Sequence, residues 1–280
     1  MSSGVLLFAI NNETVDYVKQ AIYCAKRVKR YLKLPVTVVT NDTDNFQKYP
    51  FYSKYVDNIV VTNTPDFENY RTFTQGSLKI RDLWHNSNRV DAYTLTPYNK
   101  TLLIDTDFII ANSNLLNLFQ SNNDICIGKA YKDFADTVPQ VKQGRVSKAS
   151  IPLYWATVVY FKKSNLAKNI FDLVGFVRDN WSYYRSLFNV TSTKFRNDYA
   201  FSIAAHIMNG FTESKTVVDL PYTLYNSFDV DIPLSIDNST IKVLSNNRGD
   251  YNLHVMKNTN VHLMNKFELD KIIDKDFANE

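Results

Sequence analysis

Apolar runs alternate with helical patterns through the first 118 residues of the chain. The run Val5–Ile10 is continuously apolar and predicts a buried strand, and the segment Thr14–Leu34 after it has apolar residues at helical spacing. The alternation continues with strands at Val36–Thr40 and Asp57–Val61, a helix at Gln75–His85 and a strand that ends at Asp105. Strands that alternate with helices pair in parallel, so the pattern predicts the α/β class with an open, mostly parallel central sheet.

The pattern is less regular beyond Leu118 and predicts a smaller, mixed second half. The elements expected there are strands at Asp124–Ile127 and Tyr154–Phe161, helices at Leu166–Trp181 and Asp198–Met208, and a polar helix after Phe267. Tyr131–Ser150 is a polar, basic connection, and loops of this length are usually functional or mobile. No low-complexity linker divides the chain, so we expect a single Rossmann-like domain over residues 1–280.

Two carboxylates one residue apart follow the strand that begins at Lys100. In an extended segment, alternate side chains point to the same side, so Asp105 and Asp107 would converge while Thr106 faces away. Buried acids pair with cations, take up protons or hold a metal ion, and oxygen ligands suit Mg²⁺ or Mn²⁺. Because ligands of open α/β sheets bind beyond the carboxyl ends of the strands, we expect Asn11, Asn41 and Asp105 to share one rim.

The composition is that of an ordinary globular protein. Of the 280 residues, 45% are hydrophobic and 21% are charged, and the net charge of +4 fits an anionic substrate without indicating nucleic acid. Cys24 and Cys126 lie in predicted element interiors, which favours two buried, reduced thiols. No apolar run approaches the ~20 residues that span a bilayer, and we expect a cytoplasmic protein without a membrane span.

Several segments, in order along the chain, resemble those of the GT-A glycosyltransferases, and most closely the glycogenin-like group known as family 8. The Asp105-Thr106-Asp107 run after the strand is similar to the DxD motif of that fold. The other similar segments are Ala9–Asn12 with Tyr17–Ala21, Ser77–Trp84, Arg196–Phe201 and Val261–Lys266. The resemblance implies a metal-dependent transfer of a hexosyl or pentosyl group from a nucleotide sugar, with UDP as the expected nucleotide, to a hydroxyl acceptor with retention of configuration.

The resemblance also implies roles for individual residues. It implies a Mn²⁺ or Mg²⁺ ion held by Asp105, Asp107 and His262, with Asp198 and Lys79 as catalytic residues. The residues expected to bind the nucleotide sugar are Ala9, Asn11, Tyr17, Asn41, Lys79, Asp105, Thr106 and Lys266. It implies a nucleotide-binding half at 1–118, an acceptor-binding half at 119–268 and a C-terminal tail at 269–280. His254 lies in a segment similar to that of His262 and is an alternative third metal ligand.

Two other functions remain open from the sequence. The first is a haloacid-dehalogenase-like phosphohydrolase, in which Asp105 would be the nucleophile and Asp107 the acid. Enzymes of that group carry the acid pair after their first strand, whereas here it follows several strands. The second is a non-catalytic relative that binds carbohydrate or nucleic acid. For a transferase, the acceptor could be a glycan, a protein, a small molecule or a modified DNA base.

Overall fold

The computed structural model describes residues 2–63, 68–75, 78–133, 142–212, 216–247 and 249–280. Within these residues the strands are β1 (Ser3–Ala9), β2 (Val36–Thr40), β3 (Asn58–Val61), β4 (Tyr70–Gln75), β5 (Leu78–Leu83), β6 (Lys100–Ile104), β7 (Phe108–Ile109), β8 (Ile125–Gly128), β9 (Ala130–Asp133), β10 (Lys142–Gln143), β11 (Trp155–Lys162), β12 (Leu224–Asn226), β13 (Ile232–Asp237), β14 (Thr240–Asn247), β15 (Asp250–Lys257) and β16 (Val261–His262). The α-helices are α1 (Tyr17–Tyr31), α2 (Ala92–Leu95), α3 (Asn117–Gln120), α4 (Asn165–Asp179), α5 (Trp181–Leu187), α6 (Asn197–Met208) and α7 (Lys266–Phe277).

The central sheet is mixed and mostly parallel. Its strand order among the described residues is β3-β2-β1-β6-β11-β8. The first four of these strands pair in parallel, and β11 runs antiparallel to both of its neighbours, β6 and β8. The predicted α/β class with an open, mostly parallel central sheet is therefore confirmed.

Helices cover both faces of the central sheet. Along β1, Val5 and Leu7 are buried on the side of α1, whereas Leu6 is buried on the side of α4 and α6. The first helix begins after Asp16, whose carboxylate accepts a hydrogen bond of 2.9 Å from the Lys19 backbone N–H and so caps the helix. None of the helices in the described part of the chain has both the length and the apolar character needed to cross a membrane.

A second sheet pairs a strand from the late part of the chain with the short strand that follows Asp107. Its order among the described strands is β10-β9-β12-β16-β7. The two short strands β16 and β7 pair antiparallel, with His262 opposite Phe108 and Val261 opposite Ile109. The segment immediately after Asp107 is thereby fixed beside His262, about 150 residues later in the chain.

The last helix packs against the first. Leu269 and Ile273 are fully buried on one side of α7, and Lys19 of α1 forms an ion pair with Asp274 at 3.0 Å. The residues expected to form a C-terminal tail, 269–280, thus lie largely in a packed helix. Asn265 caps this helix by accepting a hydrogen bond of 3.2 Å from the Glu268 backbone N–H, which fixes Lys266 at the first helical position.

The predicted helix at Gln75–His85 is wrong, because β4 and β5 form an antiparallel hairpin there. Phe73 lies opposite Ile80, and Gln75 lies opposite Leu78. Gly76 and Ser77, between the two strands, lie outside the described residues. Of the basic connection expected at Tyr131–Ser150, residues 134–141 also lie outside the described part of the chain.

Candidate active site

A tight turn at the end of β6 brings Asp105 and Asp107 together. The Phe108 backbone N–H donates a 3.1 Å hydrogen bond to the Asp105 carbonyl, and the Asp105 N–H donates a 3.0 Å bond to the Thr157 carbonyl of β11. The expectation of an extended segment with Thr106 facing away is therefore wrong, and Thr106 lines the same cleft as the acids. The two carboxylates converge because the backbone turns between them. The alternation of side chains along an extended strand is not the cause.

His262 lies beside the two carboxylates. Its Nε2 atom is 3.1 Å from Asp107 Oδ2 and 3.7 Å from Asp105 Oδ2. The Leu263 N–H donates a 3.0 Å hydrogen bond to the Asp107 carbonyl, which continues the β16–β7 pairing and holds the imidazole in this place. His254, the alternative ligand, lies on β15 with its Nε2 atom 2.8 Å from Ser245 Oγ, so the structure brings His262 rather than His254 to the acids.

Each of the two carboxylates also contacts a buried cation. Lys266 Nζ contacts Asp107 Oδ2, and Arg89 Nη1 contacts Asp105 Oδ1. Burial raises the pKa of the Asp105 carboxyl, and the neighbouring Asp107 charge adds to this, although Arg89 opposes it. Burial has the same effect on Asp107, but His262 and Lys266 together outweigh it and hold the pKa of that carboxyl well below its usual range.

The residues present fit a divalent cation. Two carboxylates and an imidazole offer ligand atoms that all lie within 4.8 Å of one another, and both oxygen and imidazole ligands suit Mn²⁺. With Lys266 and Arg89 included, the charge of the two acids is balanced by two cations. A divalent ion could take over this neutralising role, which would leave the two cationic side chains free to contact an anionic ligand.

The rest of the cleft is built by the β4–β5 hairpin and the segment that leads into α6. Asp198 lies in the first turn of α6, where its Oδ1 atom accepts a 2.8 Å hydrogen bond from the Ala156 N–H and its Oδ2 atom contacts Arg196 at 2.5 Å. Arg71 of β4 forms an ion pair of 2.6 Å with Asp229 and lies 5.3 Å from the ring centre of Trp84. The cleft thus combines paired acids, cations and an aromatic face.

Seven of the residues expected in the site line this cleft. They are Tyr17, Asp105, Thr106, Asp107, Asp198, His262 and Lys266. Tyr17 is buried, and the Lys266 ammonium group lies 5.6 Å from the centre of its ring, so part of that aromatic surface already contacts a cation.

Three of the expected nucleotide-binding residues take part in the ends of β1 and β2 and do not line the cleft. Ala9 is fully buried in β1 opposite Thr40. The Asn11 N–H donates a 3.0 Å hydrogen bond to Asn41 Oδ1, and Asn11 Oδ1 accepts a 3.1 Å bond from the Val18 N–H. The Asn11 and Asn41 side chains lie at the expected rim, beyond the carboxyl ends of β1 and β2. Their hydrogen bonds connect β1, β2 and α1 to one another, so these polar atoms do not face a ligand.

The structure does not bring Lys79 to the cleft, so its expected catalytic and donor-binding roles stay predictions without a place in this site. It is exposed on β5, opposite Thr74, and is absent from the cleft lining. The expected placement of Lys79 assumed a helix at this point of the chain. In a strand, successive side chains point to opposite faces, so Lys79 takes a different direction.

Several cleft residues were missed by reasoning from the sequence. They are mostly cationic or aromatic: Arg71, Trp84, Arg89, Lys194 and Arg196. Arg89 lies in a short 3₁₀ segment, Ser87–Asp91, whose sequence has no periodic signal. The Gly76-Ser77 dipeptide between two runs that contain β-branched and aromatic residues was the available signal for the hairpin that carries Arg71.

No protein-family model matches the chain, and no curated protein matches its sequence. Solved structures with similarity include the galactosyltransferase LgtC in complex with donor and acceptor sugar analogues (14% identity, 77% of this chain and 72% of that chain, TM-score 0.47). A second is the glycosyltransferase GlyE of Streptococcus pneumoniae (12% identity, 79% of this chain and 46% of that chain, TM-score 0.41). A third is the 4-diphosphocytidyl-2C-methyl-D-erythritol synthase of Anaerococcus prevotii (14% identity, 78% of this chain and 86% of that chain, TM-score 0.38). The chain spans less than half the length of the GlyE chain that it matches.

Proposed function

We propose that this protein is a GT-A-type glycosyltransferase that moves a sugar from a nucleotide donor, a UDP-sugar, to a hydroxyl acceptor with the help of Mn²⁺ or Mg²⁺. The observation that carries the proposal is the convergence of Asp105, Asp107 and His262 at the carboxyl end of β6. This is the edge of an open α/β sheet at which ligands bind. Two acids at a strand end would by themselves be weak support for a metal site. The imidazole that comes from a distant part of the chain strengthens that support.

In this proposal Asp105, Asp107 and His262 hold the divalent ion. When bound, the ion supplies Lewis-acid stabilisation of the charge that develops on the diphosphate leaving group. Lys266, which contacts Asp107, is placed to donate hydrogen bonds to a phosphate as a point charge. Tyr17, beside Lys266, lines the cleft with its aromatic ring, and we assign this ring to contact with the nucleotide once Lys266 turns to the phosphate.

Arg89 and Asp198 are placed to orient the donor sugar. The Nε and Nη2 atoms of Arg89 are buried and have no hydrogen-bond partner among the described residues. An unpartnered buried donor is costly, so these two groups favour a ligand that supplies acceptor oxygens. Asp198 is held by Ala156 and Arg196 and can accept a hydrogen bond from a sugar hydroxyl. With retention of configuration, the leaving phosphate can take the acceptor proton, so a separate general base is not required.

The surroundings of Asp105 favour sugar transfer over phosphohydrolysis. A nucleophilic aspartate must leave one carboxylate oxygen free for attack on phosphorus, whereas Asp105 contacts Arg89 through Oδ1, and the metal ion shared with His262 would take up Oδ2, which lies 3.7 Å from the His262 ring. A phosphohydrolase of the haloacid-dehalogenase type has no use for the imidazole in that position. We therefore make glycosyl transfer the single proposal.

Thermal unfolding with metal and nucleotide sugar tests the proposal. We expect Mn²⁺ and a UDP-sugar together to raise the Tm, because a ligand that binds the native state stabilises it. EDTA should remove the shift, and Asp105→Ala should abolish it, whereas Asp172→Ala on the exposed side of α4 should leave it unchanged. A screen of nucleotide sugars for slow, metal-dependent hydrolysis then identifies the donor. No binding of any nucleotide sugar at millimolar concentration with any divalent ion would overturn the proposal.

A binding protein without catalytic activity is distinguished by Asp107→Asn. This change keeps the shape of the side chain but removes the charge that pairs with Lys266 and His262. A transferase should lose at least 100-fold in donor hydrolysis, since the metal site would be impaired, whereas a protein that only binds carbohydrate should keep its affinity.

A further inference from the structure

Among the described residues, the cleft is lined by one more lysine or arginine than aspartate or glutamate. Five lysine and arginine side chains line it among the described residues, and four of them contact an acid. The contacts are Arg71 with Asp229, Arg89 with Asp105, Arg196 with Asp198 and Lys266 with Asp107. The fifth cation is Lys194, which comes from the segment before α6 and has no carboxylate within ion-pair distance among the described residues.

Lys194 lies in a crowded cationic environment. Its ammonium group is 6.0 Å from the ring centre of Trp84, and the guanidinium of Arg71 is 5.3 Å from the same ring. The side chain is half-buried, and burial lowers the pKa of Lys194; the charges of Arg71 and Arg196 add to the effect, and the charge of Asp229 opposes it only in part. A bound anion would relieve both the desolvation and the repulsion, so this corner of the cleft is electrostatically suited to an oxyanion.

The donor does not account for this charge. The two phosphates of a nucleotide sugar carry one negative charge each, and a divalent ion brings two positive charges, so the pair adds no net charge to the cleft. The groups that we assign to the metal and the nucleotide diphosphate come from the turn between β6 and β7, from β16 and from the first residues of α1 and α7. Arg71, Trp84 and Lys194 come from the β4–β5 hairpin and the segment leading into α6, which are different elements of the lining.

We propose that Lys194, flanked by Arg71 and Arg196, binds an anionic group, a carboxylate or a phosphate, on the acceptor. This inference rests on the proposed glycosyl transfer and narrows its acceptor to an anionic sugar or another anionic hydroxyl compound. The metal–donor complex supplies the sugar, and Lys194 selects the molecule that receives it. An acceptor without a negative charge would leave the half-buried Lys194 ammonium group with no anion in contact with it.

The test compares anionic and neutral sugars as ligands of the protein loaded with Mg²⁺ and UDP. The probes are glucuronate, glucose 6-phosphate and glucose, and their Kd values are measured by titration at one ionic strength. We expect at least one anionic sugar to bind about tenfold more tightly than glucose, which corresponds to one charge-assisted contact. The ratio between glucuronate and glucose 6-phosphate then separates a carboxylate site from a phosphate site.

Variants of Lys194 assign the preference to this residue. Lys194→Met should abolish the preference for an anionic sugar over glucose, and Lys194→Arg should keep it. The control is Lys48→Met, at an exposed position outside the cleft, which should leave the preference unchanged. Equal affinity for charged and neutral sugars in the wild type, or an unchanged preference in Lys194→Met, would overturn the inference. A tenfold loss of UDP affinity in Lys194→Met would also overturn it, because the lysine would then serve the donor. If Mg²⁺ and UDP do not bind at all, the proposed function itself fails.

Discussion

At the scale of single residues, the site is a set of acids whose charges are already matched. The Asp107 side chain is buried and the Asp105 side chain is largely buried. The positive charges of Lys266 and Arg89 compensate their negative charges. Buried charges of one sign would otherwise be strongly destabilising. A divalent ion must therefore compete with two cationic side chains for the same carboxylates, and an anionic ligand that attracts these cations makes the competition easier. Metal and nucleotide should bind together.

Lys266→Met tests this competition. We expect the variant to bind Mn²⁺ alone about tenfold more tightly than the wild type, because removal of one positive charge at contact distance from Asp107 strengthens the attraction for the metal. The same variant should bind UDP more weakly, since a phosphate contact is lost. Calorimetric titration measures both, with Lys48→Met as the matched charge control. Mn²⁺ affinity that is unchanged or weaker in Lys266→Met would contradict the competition.

The two thiols should be inert in the native protein. Cys24 and Cys126 are both free and buried, and burial raises the pKa of each thiol, so the reactive thiolate is scarce at neutral pH. We expect both to react with DTNB at least 100-fold more slowly in buffer than in denaturant. Fast reaction of either thiol in the native state would show that the element around it opens readily.

The sequence predicted which residues meet in this site better than it predicted their geometry. Asp105 and Asp107 were selected because two acids at the end of an apolar strand are unusual, and His262 followed from the family resemblance. The competing His254 has similar neighbours in the sequence, and only the pairing of β16 with β7 separates the two histidines. Arg89 could not be foreseen, because its contact with Asp105 depends on the path of an irregular segment.

At the scale of elements, long periodic segments were predictable and short strands were not. The first helix and the strands of the central sheet have strong patterns and form as expected. Leu78, Ile80 and Leu83 fit a helical spacing as well as a strand, and the pairing of Phe73 with Ile80 across the β4–β5 hairpin decides the structure. Strands of two residues such as β7 and β16 carry no periodicity at all, although they position the imidazole.

Docking of α7 should support both stability and the site. Ile273 is fully buried in a cluster with Leu263 and Leu269, and Lys266 lies at the start of the same helix. We expect Ile273→Ala to lower the free energy of unfolding by about 2–5 kcal/mol through the lost contacts and the remaining cavity. Ile272→Ala, at the neighbouring half-buried position, should cost less than half as much in urea titrations. Equal losses would contradict the packing described for this helix.

At the scale of the whole molecule, the fold joins distant parts of the chain around one sheet edge. Residues near 17, 89, 105, 198 and 262 meet in one cleft, and the described segments between them belong to four different sheets and the helices that cover them. The alternation of strands and helices predicted the parallel part of this arrangement. The strands of the second sheet have only two to four residues, and most of them pair with distant parts of the chain, so no local pattern encodes their pairing.

The pH dependence of unfolding should carry a contribution from Asp231. This carboxylate is fully buried and accepts hydrogen bonds from the Phe228 and Asn246 backbone N–H groups at 2.6 Å and 3.1 Å. Burial raises the pKa of Asp231, and these two N–H groups and His254 only partly oppose the rise. Since the folded state then binds the proton more strongly than the unfolded state, the contribution to stability is present at acidic pH and is lost as the pH rises through the folded pKa.

Asp231→Asn isolates that contribution. The difference in unfolding free energy between the wild type and the variant should grow in favour of the wild type as the pH falls from 7 towards the ordinary pKa of an aspartate. Asp250→Asn, an exposed position on β15, is the control and should show no such trend. A difference that shrinks as the pH falls would mean that the carboxylate is stabilised in its charged form in the native protein.

Binding of Mn²⁺ in the presence of UDP, measured by the loss of the free-ion EPR signal, tests the central claim most directly. The account predicts that the wild type and Asp172→Asn bind one ion per chain with UDP, and that Asp107→Asn and His262→Ala lose this binding by at least tenfold while remaining folded by circular dichroism. Wild-type affinity for Mn²⁺ and UDP in both Asp107→Asn and His262→Ala would contradict it.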